Sequence, residues 1–169
     1  MQIFGTLVAQ YLDYNTLKML HLFGIIIFMG NIIITGWWKT MADKTGDYKT
    51  IAFAQRQVTL TDWIFTLGGV IIVSMAAFGM VAHTNSEVMA EIYSERWLWW
   101  GYHLFVLSGI IWIVVLVPCQ IIQARMAHKF AKTGEIPDRY WLYGKIWLIF
   151  GILATVIPLA NIYWMVMKS

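Results

Sequence analysis

Three of the four histidines in this chain, His21, His83 and His103, stand at the ends of long apolar runs. Neutral imidazole is a ligand of haem iron, and two imidazoles at one depth on different helices would hold a haem b by both axial positions. A second chemistry is open to the thioethers. Met80 lies three residues before His83, Met89 follows, and Met165 and Met167 close the last apolar run. Thioether and imidazole together suit Cu(I), although flexible Met also simply fills membrane cores. The chain has one cysteine, Cys119, which excludes an internal disulfide and any multi-cysteine zinc or iron–sulfur site within the chain.

The elements that must position these side chains follow from composition. Of 169 residues, 60% are hydrophobic and 12% charged, about half the charged share of a soluble domain, so the chain belongs in lipid. Four runs reach the roughly 20 apolar residues that cross about 30 Å of hydrocarbon, with expected spans at 17–38, 62–82, 99–122 and 145–167. The expected fold class is all-α, a single transmembrane domain over residues 1–169 built as a four-transmembrane-helix bundle. The first run lacks a small-residue cleavage pattern and reads as a retained helix rather than a signal peptide. Ten Trp suit the membrane boundary and mark span ends, with Trp112 alone falling mid-span.

Nine of the twelve Lys and Arg residues lie between spans one and two or between spans three and four, leaving only Lys18, Arg96 and Lys168 on the other side. The positive-inside rule then puts those two loops in the cytoplasm of a bacterial-type inner membrane, with both termini outside. The basic pI belongs to this topology, not to nucleic-acid binding, and neither loop is long enough for a soluble catalytic domain. Short matches recur along the chain. His21-Leu22-Phe23 pairs with His103-Leu104-Phe105, Met41-Ala42 with Met126-Ala127, Lys44-Thr45-Gly46 with Lys132-Thr133-Gly134, and Trp63 with Trp147. These predict two tandem helical hairpins related by a parallel pseudo-two-fold axis along the membrane normal.

In that topology the three histidines share the outer leaflet. At about 1.5 Å per residue, His21 lies roughly 10 Å, His103 roughly 12 Å and His83 roughly 16 Å from the bilayer centre, so His21 with His103 is the expected pair and His83 the alternative ligand. His21, Gly24, Phe28, Asn31 and Thr35 fall within about 80° of one another, an expected inward face that makes Gly24 a candidate cofactor contact beside His21. His83 continues a stripe of Gly79, Ala76, Ile72 and Gly69, whose small residues permit close approach of a helix or a flat macrocycle, while the face of His103 is aliphatic, with Val106, Ile110, Val114 and Val117. The remaining polar residues have structural readings. Asp62 and Thr61 cap the second helix, Lys18 and Lys145 snorkel, His128 is solvated, and Asn31 and Asn161 bond between helices. Pro158 and Pro118 are expected to kink the fourth and third spans.

The stretch Leu17-Lys18-Met19-Leu20-His21-Leu22-Phe23-Gly24, with Trp38-Lys39 and Met41-Ala42-Asp43-Lys44-Thr45-Gly46-Asp47, resembles an uncharacterised bacterial four-helix integral membrane family, and the likeness extends over essentially the whole chain. That family is in turn distantly similar to the copper-resistance D proteins and the HemJ-type membrane protoporphyrinogen oxidases, which open a span with a comparable Lys-x-x-His pattern. The resemblance implies haem b at His21. The Leu-Pro-Arg-Leu and Tyr-His segment of HemJ-type proteins has no counterpart here, so it does not extend to porphyrinogen oxidation. The expected function is a membrane haem b protein for electron transfer or redox sensing near the outer face, exchanging electrons with quinone or an outer-side redox protein. Copper handling and a non-catalytic subunit of a larger complex are the alternatives.

Overall fold

Asp13 starts the first long helix by accepting hydrogen bonds from the backbone N–H groups of Asn15 (3.0 Å) and Thr16 (3.1 Å), and the helix runs over Tyr14–Thr45. It stops at Gly46, whose φ of 67° carries no steric cost for glycine. Asp47 caps the second in the same way, accepting from Thr50 N–H at 2.8 Å, and that helix continues over Tyr48–Thr84. The third covers Arg96–Thr133 and ends on Gly134, with φ of 81°; the fourth is Asp138–Met167. Two short helices, Gln2–Tyr11 and Val88–Ser94, complete the computed structural model, which describes residues 2–85 and 87–168 and is all-helical among them.

All four long helices are apolar and long enough to cross a membrane. They also overrun the expected spans. The first has 32 residues, about 48 Å at about 1.5 Å per residue, against about 30 Å of hydrocarbon. The basic residues assigned to loops therefore ride mostly on helix extensions, and the turns themselves are short. One expectation is corrected here. Asp62 does not cap a helix: it lies inside the continuous second helix, at the start of a π-helical turn over Asp62–Thr66, and is buried. A second π turn, Trp112–Leu116, interrupts the third helix immediately before Pro118. Proline cannot donate an N–H and crowds the carbonyl one turn back, so a locally widened helix accommodates it.

Close backbone contact joins the first two long helices. A Cβ added at Gly24 would lie 3.0 Å from Gly69 O, and one added at Gly69 would lie 3.0 Å from Gly24 O, so glycine on both sides lets the backbones touch. The third and fourth helices form the other hairpin. The hairpins meet where Tyr48–Thr61 packs on Val117–Thr133, which also contacts the fourth helix. This is the basic end of the bundle. Toward the opposite end, Arg96–Ile111 packs on the fourth helix and on Val88–Ser94, reaching the first pair through side chains such as Phe105 and Tyr102. The helices thus converge at one end and part toward the middle.

Candidate functional site

Where the hairpins part, a cavity of about 420 Å³ opens within the bundle, lined by all four long helices. Its size is that of a small-molecule pocket. Phe28, Phe105, Trp112 and Trp147 supply aromatic wall, and the rim includes Ile33, Ile113, Ile152 and Val156, each more than half exposed on the apolar outer surface. The cavity therefore opens sideways to lipid. Gly36, Gly109 and Gly151 line it too, and a Cβ added at any of them would meet nothing within 4 Å.

Asp62 is among the residues that line the cavity. Asn31 Nδ2 donates to Asp62 Oδ1 at 2.8 Å, the Thr66 hydroxyl donates to the same oxygen at 3.0 Å, and Gln120 Nε2 donates to Oδ2. Asn31 Nδ2 also lies 2.9 Å from Thr66 Oγ1. Asn31, Asp62, Thr66 and Gln120 are all buried, and no cation pairs with Asp62 among the described residues. A buried carboxylate must be satisfied by hydrogen bonds or a counter-charge, and this one is satisfied by neutral donors from three helices. Asp62 and Thr66 are four residues apart, hence on one side of the helix, and both bond Asn31.

Nearer the basic end lies a second polar cluster. Lys39, only 2% exposed, pairs with Asp43 at 2.8 Å and donates to the Tyr140 hydroxyl at 3.0 Å. That hydroxyl lies 3.2 Å from Asp43 Oδ1 and 3.4 Å from Gln55 Oε1. Gln123 Nε2 donates to Tyr140 O, while Gln123 Oε1 has no hydrogen-bond partner among the described residues. Lys39 Nζ also lies 5.8 Å from the Trp147 ring, linking this cluster to the cavity wall.

The histidines occupy different surroundings. His21 is on the inward face with buried Gly24, Phe28, Asn31 and Thr35, and its Nδ1 donates to Val73 O of the second helix at 3.1 Å. His103 Nδ1 donates to Trp99 O of its own helix at 2.7 Å, and the ring stacks on Trp99 at 4.1 Å. Its face continues through Val106, Ile110 and Val114, all exposed, while the ring itself is half-buried against Tyr93, Trp99 and Tyr102. His83 is exposed and donates through Nε2 to Leu12 O at 2.8 Å. No hydrogen bond or ring contact joins one histidine to another among the described residues. In chemistry, His21 and His103 suit a haem ligand, since a carbonyl holds Nδ1–H and Nε2 is left over. Gly24 is closed by Gly69 and Val73, and Gly79 of the His83 stripe by Leu17 and Val8, so helix packing fills the room foreseen for a macrocycle.

The other assigned residues divide clearly. Asn31 and Asn161 do bond between helices, the latter to Gly101 O at 2.9 Å, and Lys18, Lys145 and His128 are exposed. Met89 packs near Val81, Val88 and Ile92, whereas an added Gly101 Cβ would strike the end of Met165. No group of three or more His, Cys, Asp or Glu side chains is placed to hold a metal among the described residues. The residues missed in the sequence are Asp62, Gln120, Lys39, Gln55, Gln123 and Tyr140. A signal was present, because ionisable and amide residues close to a span are costly unless they meet. What hid it was placing Asp62, Lys39 and Gln123 at span boundaries.

Searches of curated proteins and of solved structures found no match. A family match covers residues 15–169, which hold all but the first residue of the four long helices, together with the cavity and both polar clusters. The chain therefore belongs to the family described as predicted integral membrane protein (DUF2269).

Proposed function

We propose that this protein binds a lipid-soluble small molecule inside the bilayer, in the cavity between its two helical hairpins. The observation that carries this reading is the cavity itself: aromatic and aliphatic walls, a rim on the apolar outer surface, and hydrogen-bonded Asp62 among its lining residues. The membrane is a bacterial inner membrane, with the basic end in the cytoplasm and both termini outside, as the distribution of Lys and Arg supports. The test is photolabelling in vesicles with an alkyl diazirine. Labelling around Trp112 and Ile113 should exceed that of other lipid-facing positions, and Gly151→Leu should remove the excess. Uniform labelling of the apolar surface would refute the reading.

A second reading, a haem b protein for electron transfer or redox sensing, is favoured by one observation: His21 and His103 each hold a backbone carbonyl with Nδ1 and leave Nε2 over. Purified protein with a Soret band and resolved reduced α and β bands, lost in His21→Ala, would support it. Colourless protein containing copper would favour copper handling, and the absence of both would leave neither metal reading standing.

A further inference from the structure

Of the nine Lys and Arg residues at the basic end, Lys39 is buried and paired with Asp43, and the others are exposed with no ion pair among the described residues. Only three exposed carboxyl groups stand at that end, those of Asp47, Glu135 and Asp138, so a positive excess remains. Two helices arrange it in the same way. Tyr48–Thr61 buries Ile51, Gln55 and Val58 and turns Lys49, Phe53, Arg56 and Leu60 outward. At about 100° per residue those four side chains share one face, and exposed Ile64 carries that face on along the helix. Val117–Thr133 buries Gln123, Ala127 and Phe130 and turns Ile121, Arg125, His128 and Lys132 outward.

Each outward face therefore passes from apolar to basic side chains along one unbroken helix. Arg56 and Arg125 each stand one turn beyond an exposed apolar residue, Leu60 and Ile121, which is about 6 Å along the axis. The headgroup layer on one side of a bilayer is roughly 5 to 8 Å thick, so both guanidinium groups fall within it. Phe53, 66% exposed between Arg56 and Lys49, is an aromatic side chain of the kind that settles at the membrane boundary. A guanidinium matches phosphate with two parallel N–H bonds. We propose that Arg56 and Arg125 hold the phosphates of anionic phospholipids at the basic end, and that the exposed lysines beyond them add attraction for the lipid's net charge. Lipid is favoured over an acidic protein because these faces start in hydrocarbon, where lipid already lies against them.

The full chain, purified in non-ionic detergent, is offered phosphatidylglycerol or phosphatidylcholine with the same acyl chains, and retained lipid is counted by native mass spectrometry. Phosphatidylglycerol should be retained about tenfold better. Arg56→Gln combined with Arg125→Gln should remove most of that preference, whereas the two Arg→Lys changes together should leave about threefold, because charge is kept and the paired N–H bonds are lost. Lys18→Gln, which removes an exposed cation toward the opposite end, should change nothing. Circular dichroism checks that each variant keeps the parent helix content, and if the double Gln variant does not fold, Arg56→Gln alone should lower the preference to about threefold. Equal retention of the two lipids, or a preference that survives the double Gln variant, would overturn the proposal. Displacement of phosphatidylglycerol by a decaglutamate peptide at equal concentration would overturn it too, assigning the surface to an acidic protein segment.

Discussion

The two ends of the bundle solve the problem of polar groups in a membrane differently. At the basic end, polar side chains meet other polar side chains across helices, in the Lys39–Asp43–Tyr140–Gln55 cluster and, deeper, in the Asn31–Asp62–Thr66–Gln120 cluster. At the opposite end each histidine meets a backbone carbonyl, and the contact between helices is made by Gly24, Gly69 and Gly79. Side-chain networks over several helices hold the whole bundle in one arrangement, whereas a ring nitrogen on a carbonyl ties at most two segments. The cavity lies where the first kind of contact gives way to the second.

The sharpest test of this contrast is the buried ion pair. Lys39 is 2% and Asp43 23% exposed, so Asp43→Ala leaves a buried ammonium without its partner while Lys39→Ala leaves a carboxylate that water can reach. Asp43→Ala should cost about 3 kcal/mol and Lys39→Ala clearly less, read from reversible unfolding in mixed detergent micelles. Equal losses would mean that the cluster is hydrated and not a closed network. Next in size, Asn31→Leu removes a donor to the Asp62 carboxylate and should cost about 2 kcal/mol, whereas His21→Leu removes one bond to a neutral carbonyl and should cost about 0.6 kcal/mol. A larger loss at His21 than at Asn31 would reverse the comparison.

The smallest effect belongs to the turn outside the membrane. Hydrogen bonds from the Thr50 hydroxyl and backbone N–H hold the Asp47 carboxyl below the usual carboxylate range. A carboxyl depressed in the folded state contributes fully above its unfolded value of about 4 and loses that contribution as pH falls through the depressed value. Stability measured from about pH 6 to about pH 3 should thus fall slightly less steeply in Asp47→Asn than in the parent chain. Identical profiles would show that this cap does not titrate with folding.

Much of the architecture is legible without coordinates. Hydropathy locates four spans because hydrocarbon accepts only long apolar helices with their backbone bonds closed, and Gly46 and Gly134 mark two of the stops because a left-handed residue ends a helix. The inward face of the first span is legible too: Gly24, Phe28, Asn31 and Thr35 share a phase and are buried together. The site is less legible. Asp62 and Lys39 stand near the ends of apolar runs, where capping and snorkelling are the usual roles, and hydropathy alone does not reveal that Gln120 or Tyr140 waits opposite.

The sequence by itself determined that this chain is a four-span membrane protein and which side chains of its first helix face inward, because insertion depends on apolar length and a regular helix fixes the phase of its own residues. Only the tertiary structure decided which polar groups meet, that each outer histidine is held by a backbone carbonyl, and that a cavity opens beside Asp62. The physical reason is rotation. Each π turn, at Asp62–Thr66 and at Trp112–Leu116, adds a residue to the helical path and turns everything beyond it by about 100°. Partners across helices are set by those phases and by how closely glycines let the backbones approach, neither of which is carried by the count of apolar residues.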